Sequence, residues 1–225
     1  MLWVSPPAAD FLGGLMNNFD AATPLKSHGV SRLLMQFLWA NLSLAIISLI
    51  FSLLKVIAPT ISEALQGLQE ILLFVALFIG LVALVLWLVW LYRLHVDLKV
   101  LFKDYPITPG GALARFLIPI YSFWGIWHTL STFGNTFKQE GGELVKWAEQ
   151  LDPLIGGFYA LTIGSNILNR EMSRMQRQNS EIEPLWFLVS DVVSVFLSVV
   201  VLQMVKVMKS AIAEKARQPQ ITPLP

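Results

Sequence analysis

The segment DYPITPGGALARFLIPIYSFWGIWHTLSTF, residues 104–133, controls how this chain can be threaded through a membrane. It is apolar enough to enter a bilayer, yet it contains Arg115, Pro119 and His128. Prolines and glycines at its start predict a turn, after which residues 112–133 have a helical pattern. Because Pro119 lacks a backbone donor and clashes with the preceding turn, we expect a kink there. This helix therefore either crosses the membrane or lies along its surface.

The composition of the whole chain indicates a protein that lies in lipid. Of its 225 residues, 55% are hydrophobic and only 14% are charged, and the mean hydropathy is +0.62. A water-soluble domain typically contains about 25% charged residues. The net charge of +1 provides no basic surface for a nucleic acid. The absence of cysteine excludes disulfides and thiolate metal sites. We therefore expect the lipid bilayer to be the main partner, with no nucleic acid bound.

Four further apolar segments are candidate membrane-crossing helices, which need about 20 apolar residues for a hydrocarbon core of ~30 Å, although residues 151–168 are short for a span. These segments are residues 33–57, 71–92, 151–168 and 185–204. Together with residues 112–133 they predict an all-α fold, a helical bundle integral to the membrane.

The distribution of Lys and Arg distinguishes between four and five crossings, because cytoplasmic loops are enriched in these residues. If residues 112–133 cross, the two sides carry eight and seven basic residues. If that helix stays at the inner surface, the inner side carries twelve of the 16 and the outer side four. We therefore predict four transmembrane helices, one amphipathic interfacial or re-entrant helix, and both termini in the cytoplasm. Five spans are the alternative.

The two ends of the chain are more polar than its centre. Residues 1–32 are expected to stay on the protein and to contain a short amphipathic helix, in which apolar residues recur every four positions. Residues 33–209 are predicted to form the helical membrane domain, and residues 210–225 a polar C-terminal tail.

Polar and small side chains within the predicted spans mark contacts between helices. Asn41, Ser48 and Ser52 share one face of the first span, and Gly80 belongs to a small-residue groove on the second. Such faces let a neighbouring helix approach closely and form hydrogen bonds across the contact. A polar pathway through the membrane is the alternative interpretation.

Asp191 needs a partner, because an ionisable group at membrane depth costs roughly 2.5 to 3.5 kcal/mol on insertion scales. It follows Ser190 and lies about 9 Å along its helix from Leu185, at ~1.5 Å per residue. The predicted partners are Arg115, Arg170, Asn166 and Asn169. A polar clamp between helices is the simpler interpretation, and a proton or ion site is the alternative.

No catalytic motif occurs in the sequence: the patterns of zinc proteases, serine hydrolases and phosphate-binding loops are all missing. His95 and His128 lie beside membrane segments, and two facing imidazoles can ligate the metal of a tetrapyrrole such as haem. This pair has no supporting spacing, so we predict no cofactor, no metal and no enzymatic activity.

Residues 106–124, together with Leu188-Val-Ser-Asp191, resemble a family of bacterial multi-spanning membrane proteins catalogued as domain of unknown function 4328. The matching positions are Arg93, Pro109, Gly110, Ala112, Ile118, Pro119, Trp124, Ser190 and Asp191. The chain departs from the family pattern at Gly111, Arg115 and Phe116, where the family has tryptophan. The resemblance implies a bacterial inner membrane or another prokaryotic internal membrane. It implies no activity, since none is established for the family.

The sequence therefore predicts a non-enzymatic integral membrane protein that acts through helix packing. It would pack with itself, as a homo-oligomer, or serve as an accessory subunit of a membrane complex. The alternative is an oligomeric channel or transporter in which the face containing Ser48 and Ser52, together with Thr129 and Asp191, lines a polar path.

Overall fold

The computed structural model describes residues 25–178 and 183–218, and this part of the chain is helical apart from short connections. The helices are α1 (Lys26–Ile57), α2 (Pro59–Ala64), α3 (Gln66–Leu101), α4 (Pro109–Leu117), α5 (Pro119–Glu140), α6 (Leu144–Arg177) and α7 (Pro184–Arg217). The all-α prediction is confirmed for the described residues, none of which lies in a strand. The amphipathic helix predicted near the N-terminus falls on residues outside the described ranges.

Among the described residues three helices, α1, α3 and α7, are long and apolar enough to cross a membrane. They contain 32, 36 and 34 residues, and their most apolar windows have mean hydropathies of 2.1, 3.1 and 2.4. Three is fewer than the four or five spans predicted from the sequence. The helix α6 has 34 residues as well, but Asp152, Pro153 and scattered Gly, Ser and Asn residues interrupt its apolar run.

The long helices pack mainly side by side around the bundle. The helix α1 packs between α3 and α7, and α7 packs between α1 and α6. On its other side α6 packs against α5, and α4 lies between α5 and α3.

The hydrophobic core lies at one end of this bundle, where α1 and α6 begin and α3, α5 and α7 end. We call it the packed end; its fully buried side chains include Leu34, Leu94, Phe137, Leu151 and Val205. Toward the opposite end, which we call the open end, the helices expose large apolar side chains. Phe74 and Leu77 of α3 are 72% and 70% exposed. Such exposure is unfavourable in water and suits contact with lipid.

The predicted kink at Pro119 is a complete break between two helices. Ile118 is extended, with φ −85° and ψ 113°, and Pro119 begins α5. A residue before proline is disfavoured in the helical region, whereas proline is favoured at a first helical position. The helices α4 and α5 pack against each other, and Arg115 Nη1 donates to Thr129 Oγ1 at 3.4 Å. The structure thus replaces the expected single kinked helix by a helical hairpin.

The last helix continues beyond the boundary predicted at residue 209. The helix α7 ends at Arg217, and Ala211 and Ile212 within it are buried in the core. An ion pair between Lys215 and Glu140 joins the end of α7 to the end of α5. Residues 210–217 are therefore part of the packed end.

Candidate functional site

Two polar contacts join α1 to α7. The Ser48 and Ser52 hydroxyls donate to the two carboxylate oxygens of Asp191, Ser48 at 3.0 Å. Nearer the packed end, the Asn41 amide donates to the Ser198 hydroxyl at 3.5 Å. The two contacts lie two helical turns apart on each of the antiparallel helices. The structure thus brings together the predicted polar face of the first span and the predicted intramembrane acid.

Small and hydroxyl residues permit this close packing. The Ser194 and Ser198 hydroxyls donate to the carbonyl oxygens of Ser190 and Ser194, at 2.9 and 2.8 Å. These bonds satisfy the hydroxyls within α7. A Cβ atom at Gly80 of α3 would lie 4.0 Å from Asn41 Oδ1, an ordinary van der Waals distance, so a small residue here fits against the polar face of α1.

The Asp191 carboxylate forms no ion pair with a described residue, since the pairs within 4.0 Å in this part of the chain all involve other acids. The nearby Lys55 ammonium lies instead over the Phe187 ring, 5.3 Å from its centroid. Two serine hydroxyls are therefore the groups that hold this acid.

None of the four partners predicted for Asp191 reaches it. Arg115 belongs to the α4–α5 hairpin. Asn166 donates to the Thr162 carbonyl at 2.8 Å, and Asn169 donates to the Ser165 hydroxyl at 3.5 Å. Arg170 lies with other charged residues on the far part of α6. The Asn166 and Asn169 amides each donate to a group on their own helix, α6. The helix α1 occupies the position beside Asp191.

Asp191 opens onto a groove of about 770 Å³ between α1, α2, α3 and α7, which we call the Asp191 groove. A volume of ~300 to 1,000 Å³ is typical of small-molecule sites. Two further carboxylates and one ammonium line it, those of Glu63, Glu70 and Lys55. The groove therefore combines a negative balance of charge with apolar walls.

Sequence reasoning missed the contribution of α2 to this groove, because this six-residue helix lies between the predicted spans 33–57 and 71–92. Ser62 of α2 lines the groove, is only 5% exposed, and forms no side-chain hydrogen bond with a described residue. Its hydroxyl oxygen is not enclosed by the described residues, so it remains accessible from the groove. It is therefore a group that a ligand in the groove can engage.

The remaining predicted site residues lie at the packed end. Arg115 Nη1 donates to Nδ1 of the exposed His128 at 3.0 Å. His95 is fully buried, and its Nδ1 donates to the Leu91 carbonyl at 2.8 Å. One imidazole is thus buried and the other exposed, so the structure does not present them as facing ligands of one metal. Among the described residues no group of three His, Asp or Glu side chains is arranged to hold a metal ion.

No family model, curated protein or solved structure matches this chain. The family resemblance drawn from residues 106–124 and from Ser190-Asp191 therefore stays an expectation. Function has to be inferred from the geometry of the chain itself.

Two buried residues at the packed end, Asp97 and Tyr105, were not predicted from the sequence, because no local pattern marks them as buried. Asp97 is 5% exposed and accepts the backbone N–H groups of Lys26 and Ser27, at 2.9 and 2.8 Å. Tyr105 packs with its ring centroid 5.7 Å from that of His95. Burial raises the pKa of the Tyr105 phenol, which strengthens its preference for the neutral form. Both residues stabilise the packed end and do not reach the Asp191 groove.

Proposed function

We propose that the protein is a non-enzymatic integral membrane protein of a prokaryotic inner or internal membrane. In this proposal α1, α3, α6 and α7 cross the bilayer, and the α4–α5 hairpin re-enters from the cytoplasmic side, where both termini lie. The support is that α6 packs against α7, contains as many residues, and connects the two ends of the bundle. The basic residues Lys55, Arg170, Arg174 and Arg177 belong to the open end, and the other twelve belong to segments at the packed end.

The outer face of α6 supports a function through helix packing. Gly156 and Ala160 are exposed on this face, and Gly164 follows one turn later. A Cβ atom at Gly156 or Gly164 would meet nothing within 4 Å. Small residues at intervals of four let two membrane helices approach closely, whereas α3 presents Phe74 and Leu77, which suit lipid. We infer that α6 packs against a helix of a second copy or of a membrane complex.

Cysteine crosslinking tests this association directly, because the natural chain contains no cysteine. In liposomes, Ala160→Cys is expected to give a disulfide-linked dimer if the partner is a second copy. Phe74→Cys, on the lipid-facing side of α3, should not. Adding Gly156→Leu to Ala160→Cys should weaken association about tenfold, corresponding to ~1.4 kcal/mol.

The matched control is Ser43→Leu, which enlarges an exposed small residue of α1 and should leave association unchanged. If Ser43→Leu, added to Ala160→Cys, reduced the crosslinked dimer as much as Gly156→Leu does, the result would argue against α6 as the contacting helix. A protein that remains monomeric, and that keeps no partner after gentle extraction, would contradict the proposed function.

A second function is favoured by the Asp191 groove: an oligomeric channel or transporter whose polar path passes this carboxylate. The observation behind it is that Asp191 has no ion-pair partner among the described residues and faces a groove. In the proposed arrangement this acid lies at membrane depth. Such acids commonly mark ion or substrate pathways. Liposomes that stay impermeable to ions and protons at high protein content would exclude the channel. A transporter would lose flux in Asp191→Asn.

A further inference from the structure

The Asp191 carboxylate retains unused capacity to bind a cation. A carboxylate offers about four lone-pair sites, and the Ser48 and Ser52 hydroxyls occupy one on each oxygen. The nearest basic side chain in the groove, Lys55, is turned onto the Phe187 ring. An ionised acid at membrane depth is stabilised by a positive charge. The groove supplies the space in which such a charge can be bound.

The polar part of the groove also favours cations over anions. Glu63 and Glu70 line it in addition to Asp191, against the single positive charge of Lys55. Glu70 is oriented by Gln66, whose side-chain nitrogen donates to its carboxylate at 3.1 Å. Complementary charge at a site attracts one sign of ligand and rejects the other.

The walls of the groove are apolar and aromatic. A ligand that fills the groove therefore needs an apolar body as well as a positive charge. Ile47, Phe51 and Leu72 line it on the α1 and α3 sides. The Phe187 ring already holds the Lys55 ammonium at 5.3 Å, so this ring accepts an ammonium on its face. Ser62 contributes an accessible hydroxyl that has no hydrogen-bond partner among the described residues. Bare metal ions would leave these apolar walls unused.

We propose that the Asp191 groove binds an amphipathic amine, a largely apolar molecule that carries one protonated primary or secondary amino group and a second, uncharged polar group. The ammonium donates to Asp191, the apolar body lies against Phe51 and Leu72, and a second polar group reaches Ser62. About 770 Å³ is sufficient for a molecule of drug size. This inference rests on the groove and on a bilayer around the bundle, and does not depend on association through α6.

Binding can be measured with dansylcadaverine, whose primary ammonium is joined by a short chain to an apolar fluorophore. The full-length protein in nanodiscs of phosphatidylcholine should bind it saturably, with a blue-shifted emission. The N-acetylated probe has the same body without the charge and should bind about tenfold more weakly. An analogue that ends in a carboxylate should not bind.

Two substitutions should change the affinity in opposite directions. Asp191→Asn keeps the size of the side chain but removes its charge, and should weaken binding about tenfold. Lys55→Met removes the competing ammonium and should tighten binding roughly threefold. Arg174→Gln, a change of charge outside the groove, is the matched control and should have no effect.

Equal binding of the amine and its acetylated form would overturn the proposal and would indicate an apolar groove for lipid chains. So would an affinity that Asp191→Asn and Lys55→Met both leave unchanged. If Asp191→Asn does not fold, Glu70→Gln replaces it, with weaker binding expected. Saturable binding without flux in liposomes would confirm the amine site and contradict the transport function.

Discussion

Asp97 holds the first turn of α1 from a position on another helix. Both its carboxylate oxygens accept backbone N–H groups, those of Lys26 and Ser27, which have no partner within their own helix. The negative charge also interacts favourably with the positive end of the helix dipole. No side chain at Leu25 caps α1. The start of α1 therefore depends on α3.

Asp97→Ala is expected to lower the free energy of unfolding by about 2 kcal/mol, because two N–H groups, that of Ser27 buried, lose a charged acceptor. Thermal unfolding in detergent, followed by circular dichroism, measures this loss. Asp104→Ala removes an exposed acid of the same type and should have little effect. Equal unfolding temperatures for the two variants would show that Asp97 does not hold α1.

Gly125 lets α4 and α5 pack closely enough to form their hairpin. A Cβ atom at this position would lie 2.7 Å from Arg115 Cβ and 3.3 Å from its Cα, and the backbone cannot move aside without separating the helices. Gly125→Ala should therefore destabilise the protein by about 1 to 3 kcal/mol.

Gly110→Ala is the control, because a Cβ atom there meets nothing within 4 Å. The same thermal measurement applies to both variants. Equal stability of Gly125→Ala and the natural protein would contradict the close approach of α4 and α5.

At the level of helices, the sequence predicts a feature when neighbouring residues encode it, and not when the feature depends on contacts between distant segments. The helices α1, α3 and α7 are recognisable because a long apolar run is a local property. Pro119 marks a break, but whether the flanking helices continue or fold back depends on contacts such as that of Arg115 with Gly125. The shared face of Ser48 and Ser52 was predictable from helical periodicity.

The partner of that face was not predictable, because nothing in the local sequence of α7 encodes its alignment with α1. Four partners were therefore proposed for Asp191, and the serines of α1 were not among them. Asp97 was overlooked for the same reason, since it caps a helix 70 residues away in the chain.

An ion pair between Lys215 and Glu140 fixes α7 to the end of α5. Lys215 is the more buried of the two, with its side chain 15% exposed, and its ammonium lies 5.2 Å from the centroid of the Phe102 ring. Lys215→Glu should destabilise the protein by about 1 kcal/mol, and Lys215→Glu with Glu140→Lys should recover part of the loss. Unfolding temperatures of the two single variants and the double variant form the test. A double variant less stable than both single variants would indicate that the pair does not contribute.

The two ends of the whole molecule differ in character. The packed end has a buried core of a kind found in soluble proteins, whereas the open end exposes apolar side chains and contains the Asp191 groove. The helix-packing and amine-binding proposals both assume that four helices connect these ends across a bilayer. The same arrangement puts the α5–α6 turn and the end of α7 on one side, in agreement with the contact between Lys215 and Glu140.

Site-directed labelling of single cysteines with a membrane-impermeant maleimide tests this threading most directly, since the chain has no cysteine of its own. In intact cells and inverted vesicles, Gln139→Cys and Arg217→Cys should react only from the cytoplasmic side. Gly67→Cys and Gln178→Cys should react only from the opposite side. Labelling of Gln139→Cys and Arg217→Cys from different sides, or of Gln178→Cys from the cytoplasm, would contradict the four-span arrangement.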